Sequence, residues 1–251
     1  MLRNRVCLVT GGASGLGFKL VQRLIAANAK VCVMDKSYTD SLLHSQDAGE
    51  GLHLFEGDVT KPEDISEAIK TAEEYFNSPL QVMVNNAGIG DESDVARTIN
   101  INLKAVIDGT TLAVHKMQME KVAGVIVNVA SMGGIYPMPF APVYAATKAG
   151  VIQYSRSVYE RLESYNRAQK GKDQIIRVNT LCPSFAETPL LTHLKSSIPN
   201  GAKIVDALGR ALTADEVADC FMTLIEDEQK NGAILRVTNH GVTYQNEKYF
   251  Q

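Results

Sequence analysis

Tyr144 and Lys148 stand four residues apart in Tyr144-Ala145-Ala146-Thr147-Lys148, so a helix over this stretch carries a phenol and an ammonium on one face. A phenol with an ordinary pKa near 10 is a poor base at neutral pH, but a nearby cation favours the phenolate and brings it towards the working range of a general base. Ser131 lies thirteen residues earlier, after the apolar run Val125–Ala130, where its hydroxyl can hydrogen-bond an oxygen held beside Tyr144. Such a trio suits proton transfer at an alcohol or carbonyl oxygen. Each member also has a commoner use, because Tyr-x-x-x-Lys arises by chance and a Ser at a strand end is often a cap. Their joint occurrence in this order carries the reading.

A second constellation opens the chain. Thr10-Gly11-Gly12-Ala13-Ser14-Gly15-Leu16-Gly17 follows an apolar run and leads into a helical pattern. Glycines allow a tight turn and close approach of a ligand, and the free N–H groups at the helix start suit a diphosphate. Gly11, Ser14, Gly15, Leu16 and Gly17 are therefore expected at a dinucleotide. Asp35, ending the second apolar run, can accept hydrogen bonds from ribose hydroxyls and repels a 2′-phosphate, which favours NAD. Lys36 beside it leaves a phosphate open as the alternative. Asp58 and Val59 follow the third run, where an adenine would lie, and Asn85-Asn86-Ala87-Gly88 follows the fourth, which places Asn85, Ala87 and Gly88 on the edge where ligands collect in such sheets.

These residues need elements to hold them. Arg5–Thr10, Lys30–Met34, His53–Glu56, Gln81–Asn85, Val125–Ala130, Ile175–Leu181 and Ala233–Thr238 are short, Val/Ile/Leu-rich and bounded by turn residues, as buried strands are. Leu16–Ala27, Pro62–Phe76, Val95–Lys121, Val143–Asn166 and Thr213–Glu228 have helical periodicity, and Thr60, Pro62 and Glu63 form a start signal. Alternation of this kind requires crossover connections. The expected fold is a single α/β domain over residues 1–251, a Rossmann-type doubly wound parallel sheet of about seven strands with helices on both faces. Asn166–Asp173 reads as a surface loop, and 185–212, without strand character, as a lid.

Composition narrows the partners. The formal charge of -3 over 251 residues supplies no general field for nucleic acid or anionic lipid, which points to a small molecule. Cys7, Cys32, Cys182 and Cys220 form no Cys-x-x-Cys pair and read as free thiols of a reducing compartment. The five histidines show no metal-binding spacing, and no metal is expected. The first strand starts too early for a signal peptide, and no run approaches the ~20 apolar residues of a membrane span. The expected location is the cytoplasm, with no integral membrane association.

From the glycine turn through Asn85-Asn86-Ala87-Gly88, Ser131 and Tyr144/Lys148 to Asn231-Gly232-Ala233, the chain closely resembles the short-chain dehydrogenase/reductase family. The resemblance implies hydride transfer between a secondary alcohol and NAD: Tyr144 acts on the alcohol proton, Ser131 fixes the oxygen, and Lys148 binds ribose and lowers the tyrosine pKa. It further implies that Asn102 holds a water chain from Lys148, with Asn100 as the competing assignment. Pro183, Phe185 and Thr188 are placed at the nicotinamide, although Ser184 stands where the family usually has Gly. A homodimer or homotetramer built on the two long helices is implied as well.

Within the family, Thr223-Leu224-Ile225-Glu226-Asp227, Asn231-Gly232-Ala233-Ile234-Leu235 and Pro142-Val143-Tyr144 resemble the branch of NAD-dependent 15-hydroxyprostaglandin dehydrogenases and insect alcohol and retinol dehydrogenases. The prostaglandin dehydrogenases of that branch carry a substrate-contacting Gln three positions before the catalytic Tyr, where this chain has Ala141. Ile135, Met138, Phe140, Phe185, Leu190, Leu191 and Leu194 either line a pocket for a lipophilic alcohol or ketone or pack the lid. His193 stands alone in the apolar part of that lid stretch, where a lone His is more often a surface or packing residue than a catalytic one. The two competing readings are an NADPH-dependent carbonyl reductase of the same fold and a non-catalytic NAD(H)-binding redox sensor.

Overall fold

The computed structural model describes residues 2–38, 42, 51–169, 174–198, 201–207 and 209–245. Strands β1 (Val6–Thr10), β2 (Lys30–Asp35), β3 (Leu52–Glu56), β4 (Leu80–Asn85), β5 (Gly124–Val129), β6 (Ile176–Pro183), β7 (Ile234–Thr238) and β8 (Gly241–Tyr244) make one sheet in the order β3-β2-β1-β4-β5-β6-β7-β8. All pairs are parallel except β7 and β8.

Helix α1 (Gly15–Ala26) and helix α8 (Ala214–Glu226) cover one face; α2 (Pro62–Phe76), α4 (Ala105–Glu120) and α5 (Pro142–Ala168) cover the other. The strands supply both cores by alternation. Cys7, Val9, Val31, Val33, Val125 and Val127 join the first, while Val6, Leu8, Cys32, Met34 and Ile126 join the second. With both faces covered, every residue of β1, β5 and β6 is buried, so these strands are rich in apolar residues on both sides, and polar ones among them, including Asn128, Arg177, Asn179 and Thr180, are buried as well.

Three expectations change. The sheet has eight strands: β8 returns antiparallel through a turn in which Gly241 takes φ 129°. All four of its residues are exposed, so no apolar run announced it. The stretch expected as one helix over Val95–Lys121 is instead α3 (Val95–Ile99), a π-helical turn (Asn100–Lys104) and α4, stopped by Lys121 at φ 56°. The start of α2 is not capped by Thr60. Lys61 is the cap residue, and the Thr60 hydroxyl donates to Asp58 Oδ1 at 2.8 Å.

The stretch 185–212 contains two helices, α6 (Pro189–Ser197) and α7 (Gly201–Ala207), with 199–200 and 208 outside the described residues. Of the expected loop Asn166–Asp173, the part up to Ala168 continues α5, and 170–173 lie outside the described residues.

Candidate active site

Helix α5 starts on Pro142, whose missing N–H and fixed φ suit the first helical position. One turn further in, Lys148 is 3% exposed, and its Nζ donates to Val129 O at 2.9 Å and lies 5.6 Å from the centre of the Tyr144 ring. Burial disfavours the charged ammonium and pushes its pKa down to about 8. The Tyr144 phenol is pushed up by burial, and a hydrogen bond with the Ser131 hydroxyl opposes that push. Ser131 stands just past β5 and caps the short 3-10 turn Met132–Gly134: its Oγ accepts from Gly133 N at 3.1 Å and donates to Pro183 O at 3.4 Å. Strand β5, helix α5 and the end of β6 thus converge on one spot.

Asn102, fully buried in the π turn, faces the same spot from the other side. Its Oδ1 accepts from Ile89 N and its Nδ2 donates to Ile89 O, both at 2.8 Å, with a further bond to Thr147 Oγ1 at 3.3 Å. Asn100 is exposed. A Cβ on Gly88 would lie 3.4 Å from Asn102 Oδ1 and 3.5 Å from Lys148 Nζ, so the loop after β4 passes directly beside both side chains.

The glycine turn lies at the carboxyl end of β1. Gly11 and Gly15 take φ 64° and 54°, a left-handed conformation that glycine adopts without the Cβ clash of other residues. A Cβ on Gly17 would fall 2.6 Å from Asn86 Nδ2 and 2.9 Å from Gly12 Cα, and onto Gly11 O. Ser14 caps α1 through its backbone alone, and no acidic residue sits in the first turn of α1. The helix start therefore keeps its positive end uncompensated. Leu16 packs against the first core.

Asp35 Oδ2 accepts from Ala13 N at 3.0 Å and Oδ1 from Lys36 N at 2.8 Å. The Lys36 ammonium meets Asp58 Oδ2 at 2.8 Å. Burial alone would raise the Asp58 carboxyl, yet the Lys36 and Thr60 hydrogen bonds hold it down at about 2. Val59 is buried next to it.

Thr188 sits beside the glycine turn, its methyl 3.3 Å from the position of a Gly15 Cβ, and its hydroxyl caps α6 by accepting from Leu191 N at 3.3 Å. Leu191, Leu194 and Val205 form a small core of their own, with Phe140 and Phe185 against it, their ring centres 6.4 Å apart. Leu191 and Leu194 thus pack within the lid. Ile135 packs on the core near Val151, Met138 lies beside Gly133, and His193 is exposed.

Asn85 points elsewhere. Its amide donates to Asn128 Oδ1 at 2.8 Å and Thr110 Oγ1 at 3.2 Å, and Asn128 donates to Ser155 Oγ at 3.0 Å, a buried polar network pinning α4 and α5 to the sheet. The amide that reaches the glycine turn is that of Asn86, which donates to Thr10 O at 3.0 Å and Gly11 O at 2.8 Å, while Thr10 Oγ1 accepts from Asn86 N and Ala87 N. Sequence reasoning missed Asn86, Thr10, Thr147 and Gly134. Only the Asn-Asn doublet offered a signal, and it did not say which Asn turns where. Gly134 lets the Ser131 turn touch α5: a Cβ there would lie 2.6–2.8 Å from Lys148 C, Lys148 O and Ala149 N.

The sequence model of the short chain dehydrogenase family matches residues 5–198. A 15-hydroxyprostaglandin dehydrogenase of Bos taurus, named for NAD(+), is 29% identical over 97% of this chain and 95% of its own length. A 3-oxoacyl-(acyl-carrier-protein) reductase of Thermotoga maritima is 34% identical over 90% of this chain and 92% of its own. A crystal structure of a 3-ketoacyl-(acyl-carrier-protein) reductase from Brucella melitensis complexed with NADH superposes with a TM-score of 0.80 at 27% identity, covering 94% of this chain and 98% of that one.

Proposed function

Because this chain belongs to the short chain dehydrogenase family, a family of oxidoreductases that bind a nicotinamide cofactor, we propose that it oxidises a lipophilic secondary alcohol with NAD as acceptor. The observation that carries the reading is the convergence of Tyr144, Ser131 and a buried Lys148 at the carboxyl edge of the sheet. The substrate side rests on the apolar Phe140 and Phe185 beside the lid and on the prostaglandin-oxidising relatives.

The residues fit a dinucleotide. The uncapped start of α1 and the Gly11–Gly17 cradle, which a Cβ would fill, suit a diphosphate held by Gly11, Ser14, Gly15, Leu16 and Gly17. Asp35 takes the ribose hydroxyls, Asp58 and Val59 flank the adenine, and Lys36, held by Asp58, is drawn away from a 2′-phosphate. Ala87 and Gly88 border the nicotinamide ribose, with Asn85 behind them at the end of β4, and Pro183, Phe185 and Thr188 border the nicotinamide. When bound, the nicotinamide supplies the hydride acceptor.

The protein's own part is proton handling. Ser131 Oγ donates to the alcohol oxygen and orients it, and the Tyr144 phenolate takes its proton. Lys148 supplies the positive field and the ribose contact, and Asn102 anchors the path by which the proton leaves. Lid helices α6 and α7 over 185–212 complete one domain over 1–251. A homodimer or homotetramer is built on the stretch Val95–Lys121, which holds α3 and α4, and on α5, consistent with exposed Val95, Ile99 and Met119. No helix of the described residues is long and apolar enough to cross a membrane, and the four free thiols support a cytoplasmic location.

The test supplies NAD or NADP with a panel of hydroxy fatty acids, prostaglandins, retinol, terpenoid alcohols and hydroxysteroids, following absorbance of the reduced cofactor, with Tyr144→Phe as control. NAD-dependent turnover lost in Tyr144→Phe is expected. Preference for NADP would move the reading to a carbonyl reductase, and tight NADH binding without turnover to a redox sensor.

A further inference from the structure

A long helix must satisfy the N–H groups of its first turn, and α5 does so in an unusual way. Its cap residue, Ala141, has no side-chain acceptor, although its own N–H finds Met138 O at 3.0 Å. Pro142 has no N–H, and Ala145 N reaches Ala141 O at 3.0 Å. Two donors remain, Val143 N and Tyr144 N. Both are taken by one carboxylate from 51 and 52 residues earlier in the chain: Glu92 Oε2 accepts from Val143 N at 2.9 Å, and Oε1 accepts from Tyr144 N at 2.8 Å. The negative group also sits at the positive end of the helix.

Glu92 is presented from a stiff loop. Ile89 is held on both its N–H and C=O by Asn102. Asp91 Oδ1 accepts from Ser93 N at 2.9 Å and Ser93 Oγ at 2.6 Å, Asp91 O accepts from Thr98 Oγ1 at 2.5 Å, and Asp94 caps α3. Leu190 of the lid lies over Gly90, 3.1 Å from where its Cβ would be. One short segment therefore touches the lid, the Asn102 turn and the backbone of Tyr144.

We infer that Glu92 is a positioning residue for the reaction, clamping the first turn of α5 so that the Tyr144 phenol is held against Ser131 and Lys148. This rests on the reading of Tyr144 as the acid–base group. A carboxylate with two equivalent acceptors is what two adjacent N–H donors require; an amide has one acceptor, and its NH2 would face the second donor.

The experiment compares Glu92→Ala and Glu92→Gln with wild type and Tyr144→Phe, using the panel alcohol that the wild type oxidises fastest, NADH binding by fluorescence, and amide exchange at Val143 and Tyr144. The expected result for Glu92→Ala is a kcat lower by at least about tenfold, with KM and NADH affinity within about threefold, since misplacement without lost binding acts on kcat. Protection of the two amides falls at least about tenfold, and Glu92→Gln lies between. If Glu92→Ala fails to fold, Glu92→Gln decides alone. Wild-type kcat in either soluble variant overturns the inference, as does loss of NADH affinity in step with kcat. Full activity of Tyr144→Phe overturns instead the reading of Tyr144, whatever the Glu92 variants do.

Discussion

Lys148→Met should make the cofactor-free protein more stable at neutral pH while abolishing its turnover. Lys148 is 3% exposed, and one backbone carbonyl, Val129 O, accepts from its ammonium at 2.9 Å. Burial takes its pKa from 10.5 down to about 8, so the folded chain resists the charged form. At about 1.4 kcal/mol per pH unit, folding with the ammonium is about 3 kcal/mol less favourable at pH 7 than with the neutral amine. Losing the bond to Val129 O costs the variant about 1 kcal/mol, leaving a net gain of about 2 kcal/mol, or roughly 4–8 °C in Tm for a chain of this size. The penalty is present in full below the folded pKa of about 8 and is relieved as pH rises towards 10.5, where the unfolded amine also loses its proton. The gain must therefore shrink above pH 8, vanish near pH ~10 and become a loss approaching about 1 kcal/mol above about pH 10.5, where only the missing bond to Val129 O counts. Urea unfolding of both proteins without nucleotide, at one protein concentration and at pH 7, 8, 9 and 10, measures this. Parallel stability curves, or a variant less stable than wild type at pH 7, would refute the claim that the site holds a desolvated ammonium.

Gly134→Ala drives a Cβ into the backbone of Lys148 and Ala149, where no side chain can give way; a displacement of the Ser131 turn by about 1 Å should cost about 100-fold in kcat, with NADH affinity near wild type, and an unchanged kcat would show that the turn relaxes freely. Arg177 is 6% exposed, and its guanidinium donates to Leu224, Ile225, Asp227 and Lys230 carbonyls at 2.6–3.1 Å, closing the end of α8; Arg177→Met should lose about 3 kcal/mol in urea unfolding, and a loss under about 1 kcal/mol, the scale of one ordinary bond, would mean the carbonyls find water instead. Burial pushes Cys7, Cys32 and Cys182 up to about 12 and Cys220 up to about 11, so the native protein should leave Ellman's reagent unreacted at pH 8 for minutes, while the unfolded chain releases all four thiols; rapid native reaction would contradict their burial.

What the sequence determined by itself is whatever depends on neighbours in the chain. Helical spacing alone puts Tyr144 and Lys148 on one face, and the apolar run before Thr10-Gly11-Gly12 and the periodic stretch after it locate a glycine turn between strand and helix. Seven of the eight strands were legible because covered parallel strands are short stretches rich in Val, Ile and Leu between turn residues; β8, exposed throughout, carried no such mark. Contacts between distant segments were decided only by the tertiary structure. Nothing local tells Asn85 from Asn86, yet one anchors the Thr110–Asn128 network and the other ties β4 to the glycine turn. The π turn buries Asn102 and exposes Asn100, and the partners of the buried amide, Ile89 and Thr147, come from another loop and from α5. Gly134 and Glu92 gain their meaning only where α5 meets them. Periodicity records which way a side chain faces its own element; which atoms then lie within 3 Å, a scale set by hydrogen bonding, is settled when the elements pack.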